Sequence, residues 1–596
     1  MKLLASSLPT AGALAAAFFF TSLIDASAQP MRWTVFGPGV SADGKTDCTK
    51  AFQLALDAAG KAGGGIVEVP AGRYRIDGHL VVPAHVTLQG VFRSAPNPSR
   101  SGITNLTGTV LLAYEGCGST NGPAFIRLAG NNAGVAGLIV DYPEWKQTTV
   151  PPVPYPPCVA SRDTENVAIQ DCCFLNPYEA IRLVRAARHL VRNVTGYPIW
   201  RGLYVDECYD IGRIENIHFW PFGVAYNQND PFCQWVNLHG VAFEFARTDW
   251  HYVANTFCFG YGVGYKLSAS AHGSANGNFL GLGADSCERA VVVEQAQPPG
   301  LLISNGEFVG RWGSTNAVCL EIAPAAEGKV SLVNCSFWGP IDRCVWMRSA
   351  VGQFTASACN FVHWDNRGSG SPCIQLDAGR AIVQGCTFAQ DGLAVSVAPE
   401  VTSAILTANQ AVGGFRVENR AGERAQIALN EPDPIQWTPE ARAHYRLTVG
   451  ASGDGRYVQG FHGMERSDRP FRWSIGSARL VLPVVSGKPT ELSFELNVPP
   501  HARSAEAGLY LEGQRLAAFV EGNTLKATLP AANEDRVRLE LRCAEWVPRQ
   551  VIPGSRDPRT LGVQVFGVTV RTAGAGERIF DANTGKWLAP LPARRK

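Results

Sequence analysis

The sequence has few charged residues and almost no net charge. Only 17% of its 596 residues are Asp, Glu, Lys or Arg, and the formal net charge is +2. A protein that binds the phosphate backbone of nucleic acids needs a basic surface, and this charge balance does not supply one. The composition therefore argues against nucleic acid as a partner.

Long apolar runs are missing from the sequence after residue 28. No later segment reaches the roughly 20 continuous apolar residues of a membrane-spanning helix, so we expect no span in the mature chain. At the N-terminus, Lys2 precedes an apolar stretch that ends near Leu23, and Ala26-Ser27-Ala28 follows it. This order predicts a signal peptide over residues 1–28 and a secreted or periplasmic protein, with a membrane anchor as the alternative.

Zinc-type ligand spacing is also absent, although the chain has sixteen cysteines. There is no CxxC pair and no His/Cys cluster with zinc spacing, so we expect no resident metal. All but one of the cysteines lie between Cys48 and Cys386, and several recur at the same point of a repeat. Because a buried free cysteine behaves as a small hydrophobic residue, this placement favours a ladder of stacked core thiols. A few disulfides remain an alternative.

Glycine and proline are abundant, with 62 and 38 residues, which indicates many turns and short strands. From about residue 165 to residue 410 the sequence repeats weakly at roughly 21 to 29 residues, a period typical of solenoids. Each repeat has a small or polar residue, then Cys, then Phe two positions later. The clearest copies are Asn334-Cys335-Ser336-Phe337, Ala358-Cys359-Asn360-Phe361 and Gly385-Cys386-Thr387-Phe388. Strand alternation predicts that Cys and Phe point inward.

The most specific pattern lies in residues 33–90, where short motifs flank an apolar helical segment. The motifs are Phe36-Gly37, Asp43-Gly44-Lys45-Thr46-Asp47, Gly63-Gly64-Gly65, Val67-Glu68-Val69-Pro70-Ala71-Gly72-Arg73-Tyr74 and Val86-Thr87-Leu88-Gln89-Gly90. Their order resembles the start of the pectate-lyase superfamily domain, which rhamnogalacturonases, epimerase-like proteins and phage tailspikes share. The resemblance implies an all-β, right-handed parallel β-helix with an N-terminal capping helix, which holds a polysaccharide along its side. Asp43 and Asp47 are predicted to be structural, with Asp47 or Thr46 capping the helix.

The solenoid repeat fades after Gly413. We therefore predict a parallel β-helix over residues 29–430 and a Pro-rich linker over 431–440. Short alternating strands follow and predict an antiparallel β-sandwich accessory domain over 441–576, then a tail over 577–596. A structural cap and a sugar-binding module are both open as roles for the sandwich.

A second element of the repeat places a polar or charged residue at the end of an alternating strand. If these strands stack about 4.8 Å apart in register, their last positions form one outward column. Its predicted members are Asp206, Glu244, Lys266, Glu294, Glu321, Arg348 and Asp377. Residues 223–227, residues 240–244 or both, with an inserted loop, supply the missing rung, and Glu244 belongs to the column if residues 240–244 do.

Paired carboxylates in this region predict a glycoside hydrolase, because glycoside hydrolysis needs one carboxyl group as acid and another as base or nucleophile. Glu294 and Glu321 on adjacent rungs are expected to raise the pKa of one of the pair. The catalytic candidates are Glu244, Glu294, Glu321, Asp206, Asp249 and Glu307, and the substrate-binding candidates are Trp346, Trp250, Lys266, Arg348 and Asp377.

Two other functions remain open. A polysaccharide lyase or epimerase acting on acidic glycans would use Lys266 and Arg348, with Arg182 nearby, as cations, and Ca²⁺ as an optional cofactor. A non-catalytic glycan-binding protein would bind a polysaccharide without converting it. The sequence lacks the calcium-binding Asp arrangement of pectate lyases, the motifs of polygalacturonases and the DPHE motif of alginate epimerases. Polysaccharide or oligosaccharide is the expected partner in every case, whereas the specific glycan and the oligomeric state stay open.

Overall fold

The computed structural model describes residues 31–37, 39–92, 107–312, 314, 316–519 and 523–588. The predicted signal peptide over residues 1–28 lies outside the described residues. Among those that are described, no helix is long and apolar enough to cross a membrane.

From Arg32 to Ala428 the chain forms the predicted right-handed parallel β-helix. Each turn contributes one strand, or one part of a bent strand, to each of three parallel sheets. The strands of sheet 1 are Leu80–Val82, Ile126–Leu128, Val159–Glu165, Glu179–Ala187, Arg201–Asp206, Val241–Phe245, Val263–Leu267, Arg289–Val293, Val318–Ile322, Arg343–Met347, Arg416–Asn419 and the first parts of Ile374–Gln384 and Leu393–Thr407.

Sheets 2 and 3 share five bent strands, which are Ala168–Leu175, Leu190–Gly196, Arg213–Phe219, Thr248–Phe259 and Gly273–Cys287. The other strands of sheet 2 are Arg32–Thr34, Gly65–Glu68, Val86–Gln89, Gly134–Ala136, Leu301–Ser304, Lys329–Val333, Gln353–Ser357, Ala425–Ala428 and the later parts of Ile374–Gln384 and Leu393–Thr407. The other strands of sheet 3 are Asp43–Asp47, Gly72–Ile76, Thr109–Ala113, Ile139–Asp141, Glu307–Gly310, Ser336–Trp338, Asn360–Phe361, Thr387–Phe388 and Gln410–Ala411.

Helix α1, Thr49–Lys61, covers the N-terminal end of this stack with Phe52, Leu56 and Ala59. Asp47 Oδ1 accepts hydrogen bonds from the backbone N–H of Thr49 at 3.0 Å and of Asp77 at 3.1 Å. These bonds hold the start of the helix against the next turn. The structure thus gives Asp47 the structural role that the sequence predicts, although Cys48 rather than Asp47 occupies the N-cap position.

The corner between sheets 2 and 3 is a tight turn made by one left-handed residue in each coil. Asn193, Asn216, Asn305 and Asn334 all have φ near +54° there, a conformation that asparagine tolerates better than most residues. Their side chains form a ladder, in which Asn334 Nδ2 donates to Asn305 Oδ1 at 2.8 Å. The residue before the inward Cys or apolar position of the repeat therefore makes the corner, as Asn334 does before Cys335.

The interior confirms the predicted stacking of Cys and Phe. The rings of Phe337, Phe361 and Phe388 stack with centroids 4.9 Å apart, in nearly parallel planes. All sixteen cysteines are free and fourteen of them are buried. Burial raises the pKa of thiols such as Cys172, to about 12, whereas a hydrogen bond with Cys359 lowers the pKa of Cys386. The buried thiols fill the core as small hydrophobic groups.

Two buried histidines lie inside the stack. The rings of His189 and His251 are 5.1 Å apart, and neither side chain is exposed to solvent. Burial lowers the pKa of His189 to about 4, although its hydrogen bond to the Ala186 carbonyl opposes the shift. Burial and the neighbouring His189 lower the pKa of His251 as well.

These histidines predict a loss of stability in mild acid. Both are neutral in the folded chain at pH 7, whereas the unfolded chain binds protons as the pH falls below about 6.5. The contribution of the neutral histidines to the free energy of unfolding is therefore fully present above about pH 6.5 and is lost towards pH 4. For His189 alone the loss is about 3 kcal/mol. Chemical denaturation at pH 7.5 and 4.5 measures the effect. His251→Phe should flatten the pH dependence, and an unchanged slope in that variant would contradict the explanation.

The loop between sheets 3 and 1 at residues 220–240 settles the register that the sequence leaves open. Val241–Phe245 pairs with Arg201–Asp206 on one side and with Val263–Leu267 on the other. Residues 223–227 lie in the loop, which continues into helix α2, Pro231–His239. Asp230 caps this helix by accepting from the backbone N–H of Phe232 and Cys233. Glu244 therefore does lie on a sheet 1 strand.

A separate antiparallel β-sandwich with its own core follows the β-helix. Its strands are His444–Thr448, Val458–Phe461, Glu465–Arg466, Pro470–Pro483, Thr490–Asn497, Gly508–Leu511, Gln514–Ala518, Thr524–Leu529, Arg536–Arg542, Gln564–Thr572, Phe580–Asp581 and Lys586–Trp587. Short helices α3, Pro439–Ala443, and α4, Pro548–Val551, connect them, as do 3₁₀ turns at Asp454–Arg456 and Pro500–Ala502; a further 3₁₀ turn, Gly422–Arg424, lies in the last coil of the β-helix.

The predicted tail and linker both need correction. Phe580–Asp581 pairs with the first strand of the sandwich, and Phe580 is buried in its core, so the described residues from 577 to 588 are not a tail. Within the predicted linker, Ile435 is also buried in that core. Apolar side chains in these turn-rich segments pack into the core of the sandwich.

Candidate active site

The predicted outward column on sheet 1 is in fact two columns, two residues apart. Strand pairing aligns Glu244 with Lys266, Lys266 with Val292, and Val292 with Glu321. The remaining predicted members lie two positions further along their strands. They are Asp206, Glu294, Arg348 and Asp377. The single-column prediction is therefore wrong, because the last residues of the sequence runs do not pair with one another in the register of sheet 1.

The two columns contact each other diagonally through ion pairs. Lys266 Nζ lies 3.5 Å from Glu244 and 3.2 Å from Glu294. Arg348 Nη1 donates to Glu321 at 2.8 Å, and Arg289 Nε donates to the same carboxylate at 2.6 Å. Two groups of ion pairs, one centred on Lys266 and the other on Glu321, thus form a network of charges on this face of sheet 1.

This network overturns the predicted pairing of Glu294 with Glu321. Burial raises the pKa of Glu321, but hydrogen bonds from Arg289 and Arg348 outweigh it, so the pKa lies below its ordinary value. Glu321 therefore stays charged at neutral pH. Glu294 is held by Lys266 rather than opposed by Glu321.

The network borders a cavity of about 420 Å³ on the N-terminal side of Glu244. Sheet 1 supplies most of its lining, and a hairpin after Val263–Leu267 supplies the opposite wall. The lining residues are Arg162, Arg182, Val184, Arg201, Tyr204, Asp206, Glu207, Ser270, Ala271 and His272. Three arginines therefore line one small cavity.

Arg201 is held most firmly of the three arginines. Its Nε donates to Glu179 at 3.0 Å and its Nη1 donates to Glu244 at 3.1 Å. Its guanidinium carbon lies 4.2 Å from the ring centroid of Tyr204 and 4.6 Å from that of Trp200. The side chain of Glu179, which also accepts from Arg182, is only 2% exposed. The buried Glu179 and the partly buried Glu244 thus fix the position of this cation.

Asp206 connects sheet 1 to the hairpin that forms the opposite wall of the cavity. Its Oδ1 accepts from Ser270 Oγ at 2.9 Å and from the Arg247 backbone N–H at 3.0 Å. Tyr204 donates its hydroxyl to Asp206 Oδ2 at 3.2 Å. Burial, and then the charge of Asp206, raise the pKa of Tyr204 to about 12. Tyr204 is therefore a protonated donor at neutral pH.

The hairpin brings His272 to the cavity. Its Nε2 lies 3.5 Å from Glu207 Oε1, and about half of the side chain is exposed. Arg185 donates to the same Glu207 carboxylate at 2.9 Å. Glu207 thus orients one ring nitrogen of an accessible histidine.

The other predicted residues lie apart from this cavity. Asp249 lies at the corner beyond sheet 1 and accepts hydrogen bonds from Arg247, Asn276 and Gln297. Burial raises the pKa of Asp249, but these hydrogen bonds outweigh burial, so the pKa lies below its ordinary value. Trp250 follows Asp249 on the strand Thr248–Phe259, and its side chain is 64% exposed. Glu307 lies on sheet 3.

Trp346 faces outward on sheet 1, as its position between the buried Val345 and Met347 predicts. Its Nε1 donates to Asp377 Oδ2 at 2.7 Å, and the Arg348 guanidinium carbon lies 4.5 Å from its ring centroid. Trp346, Arg348 and Asp377 therefore form one surface further along the same sheet.

Sequence reasoning missed five cavity residues to which the site assigns a role, which are Arg162, Arg201, Tyr204, Glu207 and His272. Tyr204 was available as the outward residue two positions before Asp206, in line with Arg182 on the preceding rung. The hairpin had no comparable signal, because nothing in its sequence indicates that it folds back over sheet 1. In the part of the chain that the structure describes, no group of three or more His, Cys, Asp or Glu side chains is placed to hold a metal ion.

The comparisons with known proteins give short sequence matches and distant structural likenesses. No protein-family model matches the chain. Alginate lyase 7 of Azotobacter vinelandii is 45% identical over 67 residues, which are 10% of this chain and 8% of that protein. Mannuronan C5-epimerase AlgE1 of the same organism is 33% identical over 118 residues, which are 18% of this chain and 8% of that protein. The matches thus span less than a tenth of either relative.

Among solved structures, the tailspike protein of E. coli bacteriophage HK620 in complex with a pentasaccharide has a TM-score of 0.44 and 12% identity. The alignment covers 86% of this chain and 93% of that chain. The three-sheeted coil described above agrees with the resemblance to the pectate-lyase superfamily.

Proposed function

We propose that the protein is an enzyme that binds a uronate-containing polysaccharide on sheet 1 and removes the proton next to the uronate carboxylate. The result is chain cleavage by β-elimination, as in a lyase, and the alternative outcome of the same first step is epimerisation. The observation that carries the proposal is the convergence of Arg162, Arg182 and Arg201 on one cavity that also contains Tyr204 and His272.

The arginines supply the electrostatic part of the reaction. Removing a proton next to a carboxylate builds negative charge on that carboxylate, and fixed cations stabilise it. Arg201 is preorganised by Glu179 and Glu244, so it needs no rearrangement when the charge develops. Guanidinium groups also bind carboxylates through two parallel hydrogen bonds, which orients the sugar ring.

His272 and Tyr204 fit the two proton transfers. His272, oriented by Glu207, accepts the proton from C5 of the uronate, and the C4–O4 bond breaks as the C4=C5 double bond forms. Tyr204, which is protonated at neutral pH, donates a proton to the leaving O4. In epimerisation the same donor would return a proton to C5 from the other face, and the glycosidic bond would remain intact.

A hydrolase is less well supported on sheet 1. Hydrolysis needs one protonated carboxyl group beside the bond. Glu321 has a lowered pKa, and Glu244 and Glu294 each contact one or two cations. The carboxylates on this sheet therefore act as partners that position arginine and lysine.

The short sequence matches support the same choice, since the two relatives are named for alginate and mannuronan. Alginate is accordingly the first substrate to test. Export, which residues 1–28 predict, would bring the enzyme to such extracellular polymers.

The test is product analysis by mass spectrometry after incubation of the purified protein with alginate, polygalacturonate and a neutral glucan. We expect unsaturated fragments without added water from an acidic polymer, or deuterium incorporation at C5 from D₂O if the enzyme epimerises. The neutral glucan should stay intact, and EDTA should leave the reaction unchanged because arginines, not Ca²⁺, neutralise the carboxylate. Fragments that each carry one added water would instead establish a hydrolase, and an unchanged acidic polymer would contradict the proposal.

A further inference from the structure

The outer face of sheet 3 carries an aromatic surface, far from the charged network of sheet 1. Phe219 and Cys258 point into the core, so His218, Trp220, Phe257 and Phe259 on either side of them point outward. The rings of Trp220 and Phe257 are nearly parallel, with centroids 6.2 Å apart, and Trp220 lies 4.5 Å from Phe259. His218 is exposed and the other three are only partly buried.

Two carboxylates adjoin this aromatic surface on the next rungs. Asp285 pairs in register with Phe259, and Glu307 pairs with Gly283. Burial, and then the charge of Glu307, raise the pKa of Asp285. Glu307 is exposed and accepts a hydrogen bond from Trp338 Nε1 at 2.9 Å. This bond fixes one carboxylate oxygen and leaves the other facing solvent.

A buried acceptor lies at the edge of the same surface. Asn237, on α2, is 1% exposed, and its Oδ1 has no hydrogen-bond partner among the described residues. Its Nδ2 donates to the Tyr226 hydroxyl at 3.4 Å, and the Tyr226 ring lies 5.0 Å from that of Phe259. Tyr226 therefore connects α2 to the aromatic surface.

We propose that this face is a second glycan-binding site, which takes a neutral β-linked polysaccharide. A β-linked pyranose presents a flat C–H face, which packs on Trp220 and Phe257, and a rim of hydroxyls. Asp285 and Glu307 offer acceptors for those hydroxyls. Arg311 is a cation near Tyr226, and it forms an ion pair with Glu288.

The charge on this face separates it from the sheet 1 cavity. Asp285 and Glu307 repel uronates, whereas three arginines on sheet 1 attract them. The chain therefore has one face suited to an acidic polymer and another suited to a neutral one. This inference does not depend on the proposed reaction on sheet 1.

The test is affinity gel electrophoresis of the full chain in gels that contain glucomannan, laminarin or alginate. We expect at least one of the two neutral polysaccharides to retard the wild-type protein. Trp220→Ala and Glu307→Gln should each weaken that binding about tenfold, as expected for loss of a stacking or hydrogen-bonding contact. Trp587→Ala, at a partly exposed tryptophan on the sandwich, is the matched control and should bind like the wild type.

Two further measurements keep the outcome decisive. Conversion of alginate by Glu307→Gln should match the wild type, so a failure of one site is distinguishable from a failure of the other. Glu307 is exposed, so its variant remains informative even if Trp220→Ala fails to fold. Absence of binding to both neutral polysaccharides, or binding that neither variant weakens, would overturn the inference. A wild-type dimer that Trp220→Ala converts to monomer would also overturn it, by assigning the face to a second copy of the chain.

Discussion

Arg201→Ala is expected to lower kcat/KM for an acidic polysaccharide by about 100-fold or more, since a preorganised charge that stabilises a transition state contributes several kcal/mol. The substitution removes the best-anchored cation of the cavity. It also leaves Glu179 and Glu244 without one of their partners, at side-chain exposures of 2% and 12%. Breaking buried pairs of this kind costs about 3–5 kcal/mol, so the melting temperature should fall as well.

Matched variants separate the lost chemistry from the lost stability. In Arg182→Ala, Glu179 keeps its bonds to Arg201, so we expect a smaller loss of stability together with weaker substrate binding and a raised KM. Arg201→Lys keeps the charge but cannot span both carboxylates, and should recover only part of the activity. Arg192→Ala on sheet 2, where the side chain donates a hydrogen bond to Gln170, is the control. A kcat/KM of folded Arg201→Ala within threefold of the wild type would contradict the role given to this residue.

Phe361→Ala is expected to destabilise the β-helix by about 3–5 kcal/mol, the usual cost of truncating a fully buried aromatic ring. Its ring stacks between Phe337 and Phe388, each 4.9 Å away, so the substitution leaves a cavity in the middle of a ladder. The neighbouring rungs hold the surrounding backbone at a fixed spacing, which limits collapse around that cavity.

The measurement is the free energy of unfolding from guanidinium chloride titration. Val351→Ala, at a residue that is 70% exposed on a nearby loop, is the control and should change stability by less than about 0.5 kcal/mol. If Phe361→Ala costs no more than this control, the stacked rings are not the main support of the coil.

The fold could be predicted from the sequence because its strongest signals are local. Alternation in Cys335-Ser336-Phe337 and its copies separates inward from outward residues, and the structure confirms each assignment. The motifs in residues 33–90 add the capping helix. These patterns depend on neighbours in sequence, so one chain suffices to detect them.

The register of sheet 1 could not be predicted in the same way. A slip of two residues keeps every inward residue inward, so alternation does not distinguish Tyr204 from Asp206 as the member of a column. Backbone hydrogen bonds between rungs decide it, and they align Tyr204 with Glu244. The predicted column therefore lies on the right face of the sheet, but it combines residues from two columns that are two positions apart.

The cavity was hidden for a related reason. Glu179, Arg201 and Glu244 meet on three consecutive rungs, although 22 and 43 residues separate Arg201 from its two partners in the chain. Coil lengths that vary with the inserted loops determine which charges meet. The loop of residues 220–240 and the hairpin at Ala269–Ser270 are such insertions, and neither has a repeat partner from which its position could be read.

The free cysteines give the molecule a built-in set of labelling sites along its axis. Buried thiols run from Cys48 beside the capping helix to Cys386 near the last coils, with one in most turns between them. A thiol-modifying reagent reaches such a group only when the coil around it opens. The order in which these positions react would therefore record, without any engineered probe, whether the coil frays from its ends or opens first beside the inserted loops.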